Sequence, residues 1–175
     1  MSLPSWAQVT PARRQHIERV VALLGTWADA IPVPVAERAR WVRAGWLHDA
    51  LRDAPPPLGD PLAHGPAAAE RAAQDGERDR GVLDAVRYHT IGSAGWDDVG
   101  RMLYAADFLD PGRDFDPEGR RALATRVPAE REAVVREVAR RRIEWTLRSG
   151  WRLLPETVAF WNAMVGPSDG RTVGQ

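Results

Sequence analysis

Apolar residues recur along this chain at helical spacing and not in alternation. Ile17, Val20, Val21 and Leu24 fall on one helix face. Thr10-Pro11 just before them reads as an N-cap followed by proline at the first helical position. A second helix is expected from Val35 to about Leu51, ended by the stretch PPPLGD. HGPAAAERAAQ predicts a short, alanine-rich third helix. GVLDAVRYHT predicts a fourth, with Gly92 most simply its C-cap. WDDVGRMLYAADFLDPGR predicts a fifth, stopped by Pro111 and Gly112. A long sixth is expected from Glu130 to Ser149, closed by Gly150, and Pro155 opens a last one, PETVAFWNAMV. No stretch alternates strictly and no internal repeat is present. The fold class is therefore all-α: one helical bundle of about six to eight helices over residues 10–166. A lead-in (1–9) precedes it, and a tail (167–175) with the composition of a disordered segment follows.

Composition narrows the function. A chain of 175 residues supports one domain with a real core. Formal net charge is zero, which argues against nucleic acid as a partner. All 24 basic residues are arginine. The absence of cysteine excludes disulfides and thiolate metal sites. No apolar run has the length of a membrane span, and the N-terminal residues lack a secretory pattern, so a cytoplasmic protein with no membrane partner is expected. Trp27, Trp41, Trp46, Trp145 and Trp161 lie on predicted helices; core packing is the expectation, with a nucleobase-stacking platform the alternative for one of them. An apolar helix face is also compatible with a homodimer.

The candidate chemistry sits at helix ends. The four histidines, His16, His48, His64 and His89, each fall on a different predicted helix. His48 is followed at once by Asp49. Adjacent helical residues point about 100° apart, so these two share an ion only if it lies between their directions and other helices complete the shell. His16 and Asp107 are the candidates for that completion. Imidazole with carboxylate suits Fe(II), Mn(II), Co(II), Ni(II) or Zn(II) better than Mg(II). Such an ion lowers the pKa of bound water and polarises a phosphoryl oxygen. His64 and His89 are positioned for a second ion or for hydrogen bonds to phosphate. Taken singly, a His-Asp dipeptide is a weak motif, His16 reads as a helix-surface or satisfied core histidine, and Asp107 as a cap or an arginine partner. The combination points to hydrolysis of a phosphate ester or anhydride.

Six blocks carry a resemblance: RRQHIERVV with His16, WLHDALRD with His48 and Asp49, LAHGPAAAE with His64, YHTIG with His89 and Thr90, YAADFLDPGR with Asp107 and Arg113, and LLPETVAFWN with Pro155 and Thr157. In this order, from His16 to Asn162, they resemble the HD-domain metal-dependent phosphohydrolases, and among these the bacterial YqeK-type symmetrical bis(5'-nucleosyl)-tetraphosphatases. The resemblance implies an iron ion held by His16, His48, Asp49 and Asp107. It implies catalytic roles for His48, Asp49, Asp107 and Arg52. It implies nucleotide contacts from Arg13, the Asp49–Arg52 turn, His64, His89, Thr90, Arg113 and the segment Arg152–Thr157, including Pro155 and Glu156. The implied reaction is diadenosine tetraphosphate plus water giving two ADP, by a metal-activated water.

Two positions depart from the family's pattern. Arg52 stands where lysine is usual; it lies on the same helix face as Asp49, and either grips phosphate bidentately or pairs with Asp49 or Asp53. Asp110 stands where glutamate is usual and reads as support for Asp107 or a helix-end residue, not a ligand. Arg113, after Pro111-Gly112, either reaches into a cleft or pairs with Asp114 or Asp116. The run ARRRIEW reads mainly as a solvated arginine face. The alternatives are another HD nucleotide phosphohydrolase (a 5'-nucleotidase or nucleoside-triphosphate hydrolase) and a non-catalytic nucleotide-binding module. YHTIG and DPGR argue against the first, and the full set of ligand-type residues argues against the second.

Overall fold

Proline in the first turn starts three of the helices, two of them behind a side-chain cap, and the rest of the bundle is hung on one largely apolar helix. The computed structural model describes residues 2–55 and 60–166. Among these residues it has seven α-helices and no strand: α1 Pro11–Ala30, α2 Val35–Leu47, α3 His64–Gln74, α4 Arg80–Tyr88, α5 Asp98–Phe108, α6 Pro117–Arg148 and α7 Pro155–Val165. The expected tail at 167–175 lies outside the described residues.

Helix α5 is buried along most of its surface, with only Asp98 and Arg101 reaching the outside of the bundle and Phe108 half-buried. Val99, Met102, Leu103, Tyr104, Ala105, Ala106 and Asp107 are all inaccessible, and the helix packs against α1, α2, α4 and α6. A helix apolar around most of its circumference belongs at the centre of a core. Burying a side chain such as Leu103 or Met102 contributes roughly 1.5–3 kcal/mol, which offsets the cost of the ionisable groups gathered at the helix's C-terminal end. Trp96, Tyr104 and Phe160 close the core beneath α7, with ring centroids 5.1–5.7 Å apart. Gly92 makes that closure possible. Its φ of +88° ends the turn after α4, and a Cβ there would lie 2.4 Å from Phe160 Cδ1.

The structure corrects three expectations. Helix α2 stops at Leu47, not Leu51: successive i→i+3 turns, with Ala50 N–H bonded to Leu47 O and Arg52 N–H to Asp49 O, swing the chain away. The sixth helix begins at Pro117, capped by Asp116, whose side chain accepts from Gly119 N–H. Glu130, expected as its start, is a kink with φ −135° and ψ 34°. Pro128 causes it, having no N–H to give and crowding the carbonyl of Ala124 four residues back. That freed carbonyl accepts the Trp27 indole N–H at 3.0 Å. Finally, Trp27, Trp41 and Trp96 are core residues and Trp46 and Trp161 partly buried, but Trp145 is 55% exposed and Trp151 62%. Their rings meet edge to face, 5.0 Å apart.

Candidate metal centre

Three of the four histidines stand where a helix begins or ends, and each uses a local backbone carbonyl to fix its ring. His48 caps the C-terminus of α2 and its Nδ1–H donates to Gly45 O at 2.8 Å. His89 does the same at the end of α4, to Val86 O at 2.8 Å. His64, the first residue of α3, donates to Pro61 O at 2.7 Å. Carbonyls in a helix's last turn lack intrahelical partners, so a histidine placed there finds one three residues back. His16 lies within α1, where such carbonyls are taken, and turns instead to Asp110 Oδ2 at 2.7 Å. With Nδ1 engaged in all four rings, each Nε2 is left to face inward, an arrangement that orients histidine ligands on a metal.

The four Nε2 atoms converge on Asp49. Its Oδ2 lies 3.6 Å from His16 Nε2 and 3.7 Å from His48 Nε2. Its Oδ1 lies 3.2 Å from His64 Nε2 and 3.3 Å from His89 Nε2. The nitrogens pair off at 3.3 Å (His16 and His48) and 3.1 Å (His64 and His89). Ligands at metal–nitrogen distances of about 2.0–2.1 Å sit roughly 3.0–3.4 Å apart around one ion, so the spacing fits a cation between them. Two compact groups result, His16–His48–Asp49 and Asp49–His64–His89, with Asp49 offering one oxygen to each. Gly65 lets the second form: a Cβ there would meet Arg87 O at 2.8 Å, so only glycine brings α3, and His64 with it, this close to α4.

All five of these side chains are buried, as are Asp107 and Asp110. Burial opposes ionisation of Asp49, yet His48, His64 and His89 around it hold its carboxyl well below the usual range. Burial likewise opposes charge on Asp107, and Arg142 and Arg113 overcome it. Both carboxylates are therefore ionised and the donor set, imidazole with carboxylate, is that of a divalent transition metal.

Asp107 sits beside the compact groups. Its Oδ1 is 3.2 Å from His16 Nε2 and accepts from Arg113 at 2.7 Å, while Oδ2 accepts from Arg142 at 2.6 Å. Arg13 donates to Asp49 Oδ2 at 2.7 Å. Two cavities open from this end of the bundle. One, of about 900 Å³, is lined by Thr90, Arg142, Trp145, Trp151, Arg152 and residues 154–157. The other, of about 840 Å³, is lined by Arg113, Phe115, Arg120, Arg142 and Trp145. Arg142 and Trp145 form the wall common to both.

Residues 13–143 match the HD domain. The chain belongs to the HD-domain family. Its described residues place every histidine of this HD domain in the buried cluster. A protein of Halalkalibacterium halodurans named symmetrical bis(5'-nucleosyl)-tetraphosphatase is 26% identical over 108 residues, 61% of this chain and 57% of that protein. A Bacillus subtilis protein of the same name is 38% identical over 55 residues, 31% of this chain and 30% of that one. The matched segments thus span little more than half and under a third of these relatives. The fold is shared with a Clostridium acetobutylicum crystal structure described as a predicted HD superfamily hydrolase involved in NAD metabolism, at a TM-score of 0.76 and 22% identity over 90% of both chains. Among the described residues no helix is long and apolar enough to cross a membrane.

For three residues of the HD domain the structure decides between contacts that the sequence left open or corrects them. Arg52 pairs with neither Asp49 nor Asp53; it donates to Pro61 O at 2.6 Å, the carbonyl that also orients His64. Asp53 instead anchors the start of α1, accepting from Thr10 N–H and Oγ1–H. Asp110 supports His16 and not Asp107, and takes Arg19 Nε–H on its other oxygen at 2.6 Å. Arg113 lines a cavity, the first of its two expected placements, and pairs there with Asp107, not with Asp114 or Asp116. Thr90 gives Arg142 its carbonyl, and Thr157 Oγ1–H ties α7 to Ile91 O, while Arg152, Pro155 and Glu156 line the larger cleft.

Arg142 is the residue that sequence reasoning missed. From the middle of ARRRIEW it reaches Asp107, Thr90 O and Tyr104 O, with its guanidinium 4.4 Å from the Tyr104 ring centroid. Its neighbours Arg140 and Arg141 bond Glu137 and keep to the surface side. Nothing local separates the three; the register of α6 on α5 does.

Proposed function

We propose that this HD domain is a metal-dependent phosphohydrolase that cleaves dinucleoside tetraphosphates symmetrically, diadenosine tetraphosphate among them, to two nucleoside diphosphates. The observation that carries the reading is the convergence of four oriented histidine Nε2 atoms on Asp49, with Asp107 beside them bonded to Arg142, which lines two cavities. The names of the two curated relatives support the substrate class, as does the position of Arg152 and residues 154–157 along the larger cleft.

His16, His48, Asp49 and Asp107 would hold an ion, which we propose to be iron, with His64 and His89 available to a second. The bound ion would supply water activation at neutral pH and polarisation of a phosphoryl oxygen. The chain's own residues do the remaining work. Arg113 and Arg142 keep Asp107 ionised and pointed at His16, and carry positive charge to the path of the phosphate chain. Arginine suits that path because its planar fork holds two phosphate oxygens at once. In the reaction, water oxygen bonds to one inner phosphorus and the bond from that phosphorus to the central bridging oxygen breaks. The departing half is itself a nucleoside diphosphate, whose developing charge the arginines stabilise.

The test is an anaerobic incubation of Fe(II)-loaded protein with diadenosine tetraphosphate and chromatography of the products, beside His48→Ala. ADP as the sole nucleotide, absent with the variant, is expected. AMP with ATP, or release of nucleoside from a monophosphate in preference, overturns the reading.

A further inference from the structure

Arg120 is buried without a counter-ion. It is 5% exposed, at the start of α6, and among the described residues no carboxylate lies within 4 Å of its guanidinium. Its Nε–H donates to Phe115 O at 2.6 Å; neither Nη has an acceptor among the described residues, and Nη1 is fully buried. The guanidinium is stacked 4.3 Å from the Phe108 ring centroid, which keeps it flat and fixed. Burying an unpaired charge is costly, so such a group is retained where an anion completes it.

Its surroundings are themselves positive. Arg113 and Arg142 line the same cavity and share a single carboxylate, that of Asp107. Of the three acids on its rim, Asp116 bonds Arg141 and Glu144 bonds Arg140, which leaves Asp114 against the remaining arginines. The cavity therefore holds more guanidinium than carboxylate. It also presents two exposed aromatic rings, Phe115 at 71% and Trp145 at 55%. Exposed aromatic faces beside unpaired arginines are what a base and its phosphates require.

We propose that this second cavity seats one nucleoside diphosphate unit, its phosphates on Arg113 and Arg120 and its base against Phe115 and Trp145. The opposite unit of the substrate occupies the cleft of Thr90, Arg152 and residues 154–157. Arg142, common to both cavities and bonded to Asp107, lies under the phosphate chain where the two halves meet. The inference rests on the reading that the substrate has two nucleoside ends, and it explains the symmetry of cleavage: each end has its own seat, and the inner phosphates are held over the histidine cluster.

Calorimetric titration of the full chain with ADP, with and without divalent metal, tests this without turnover. Wild type is expected to bind two ADP per chain. Phe115→Ala is expected to weaken one site about tenfold, the effect of losing one stacking surface, and Arg120→Ala to abolish that same site. Circular dichroism checks that Arg120→Ala folds; if it does not, Phe115→Ala, at an exposed position, decides alone. One ADP per chain in wild type, or two sites unmoved by either variant, overturns the proposal. Inorganic pyrophosphate is expected to bind the Arg120 site about tenfold more weakly than ADP; equal affinity overturns the base contact. Two ADP sites with no hydrolysis of diadenosine tetraphosphate would sink the proposed reaction and leave the pocket standing. Hydrolysis to ADP with a single site unaffected by the variants would do the reverse.

Discussion

His16 Nδ1 and Asp110 Oδ2 lie 2.7 Å apart across 94 residues of sequence. Arg19 holds the same carboxylate through two N–H groups, so Asp110 is fixed before it fixes His16. Removing such an outer partner typically costs 10–100-fold in metal affinity. Asp110→Asn is therefore expected to weaken metal binding by about 10–100-fold while the protein stays folded, read by chelator competition. Unchanged affinity would show that His16 needs no partner to present its Nε2.

The metal-free protein is expected to be most stable near pH 6.5. Burial opposes a charge on His16, but Asp107 and Asp110 overcome it and raise its pKa from 6.5 to about 9. Its charged form thus stabilises fully below pH 6.5, and that contribution is lost as pH rises to about 9. His48 runs the other way. Complete burial lowers its pKa to about 4, so its neutral ring stabilises above pH 6.5 and that contribution is lost as pH falls toward 4. Thermal midpoints measured in chelator across this range should fall on both sides, and His16→Ala should flatten the alkaline arm. A midpoint climbing steadily through pH 9 would contradict the assignment.

Arg142 joins α6 to the metal centre through Asp107, Thr90 and Tyr104. Arg142→Ala leaves one oxygen of a buried carboxylate without its partner and should cost about 3 kcal/mol in denaturant unfolding. Lysine cannot span the three acceptors with one ammonium, so Arg142→Lys should also lose activity, by about tenfold or more. Full activity in the lysine variant would reduce Arg142 to a generic positive charge.

Trp27 and Pro128 are coupled through the Ala124 carbonyl. Trp27→Phe keeps an aromatic ring but leaves that carbonyl without a donor, at a cost of about 1–3 kcal/mol. Metal affinity should not change, because the kink lies away from the histidines. A loss of metal binding in this variant would mean that the bend in α6 is transmitted to Arg142.

Much of this architecture is legible in the chain because its local signals agree. Thr10-Pro11 and the acid-Pro and Pro-Gly breaks bound helices whose apolar faces repeat at the right spacing, and each histidine lies on or at the end of a separate helix. Asp116-Pro117 is the same start signal, overlooked because Gly119 and Pro128 make the following stretch a poor helix by propensity; packing of Leu123 and Val127 into the core overrides that. The supporting contacts were hidden for another reason. Asp110 is near Asp107 in sequence, yet the fold gives it to His16, and Arg142 is one of three adjacent arginines. Which arginine turns inward depends on how α6 lies on α5, and periodicity in one helix carries no record of its neighbour.

The central claim is that the four oriented histidines and Asp49 hold a divalent ion. Elemental analysis of protein purified under mild, anaerobic conditions tests it directly, with Asp49→Ala and His48→Ala alongside. At least one equivalent of transition metal per folded chain, lost in both variants, is the predicted result. Wild-type protein that takes up no metal, or folded variants that retain it, would contradict the account.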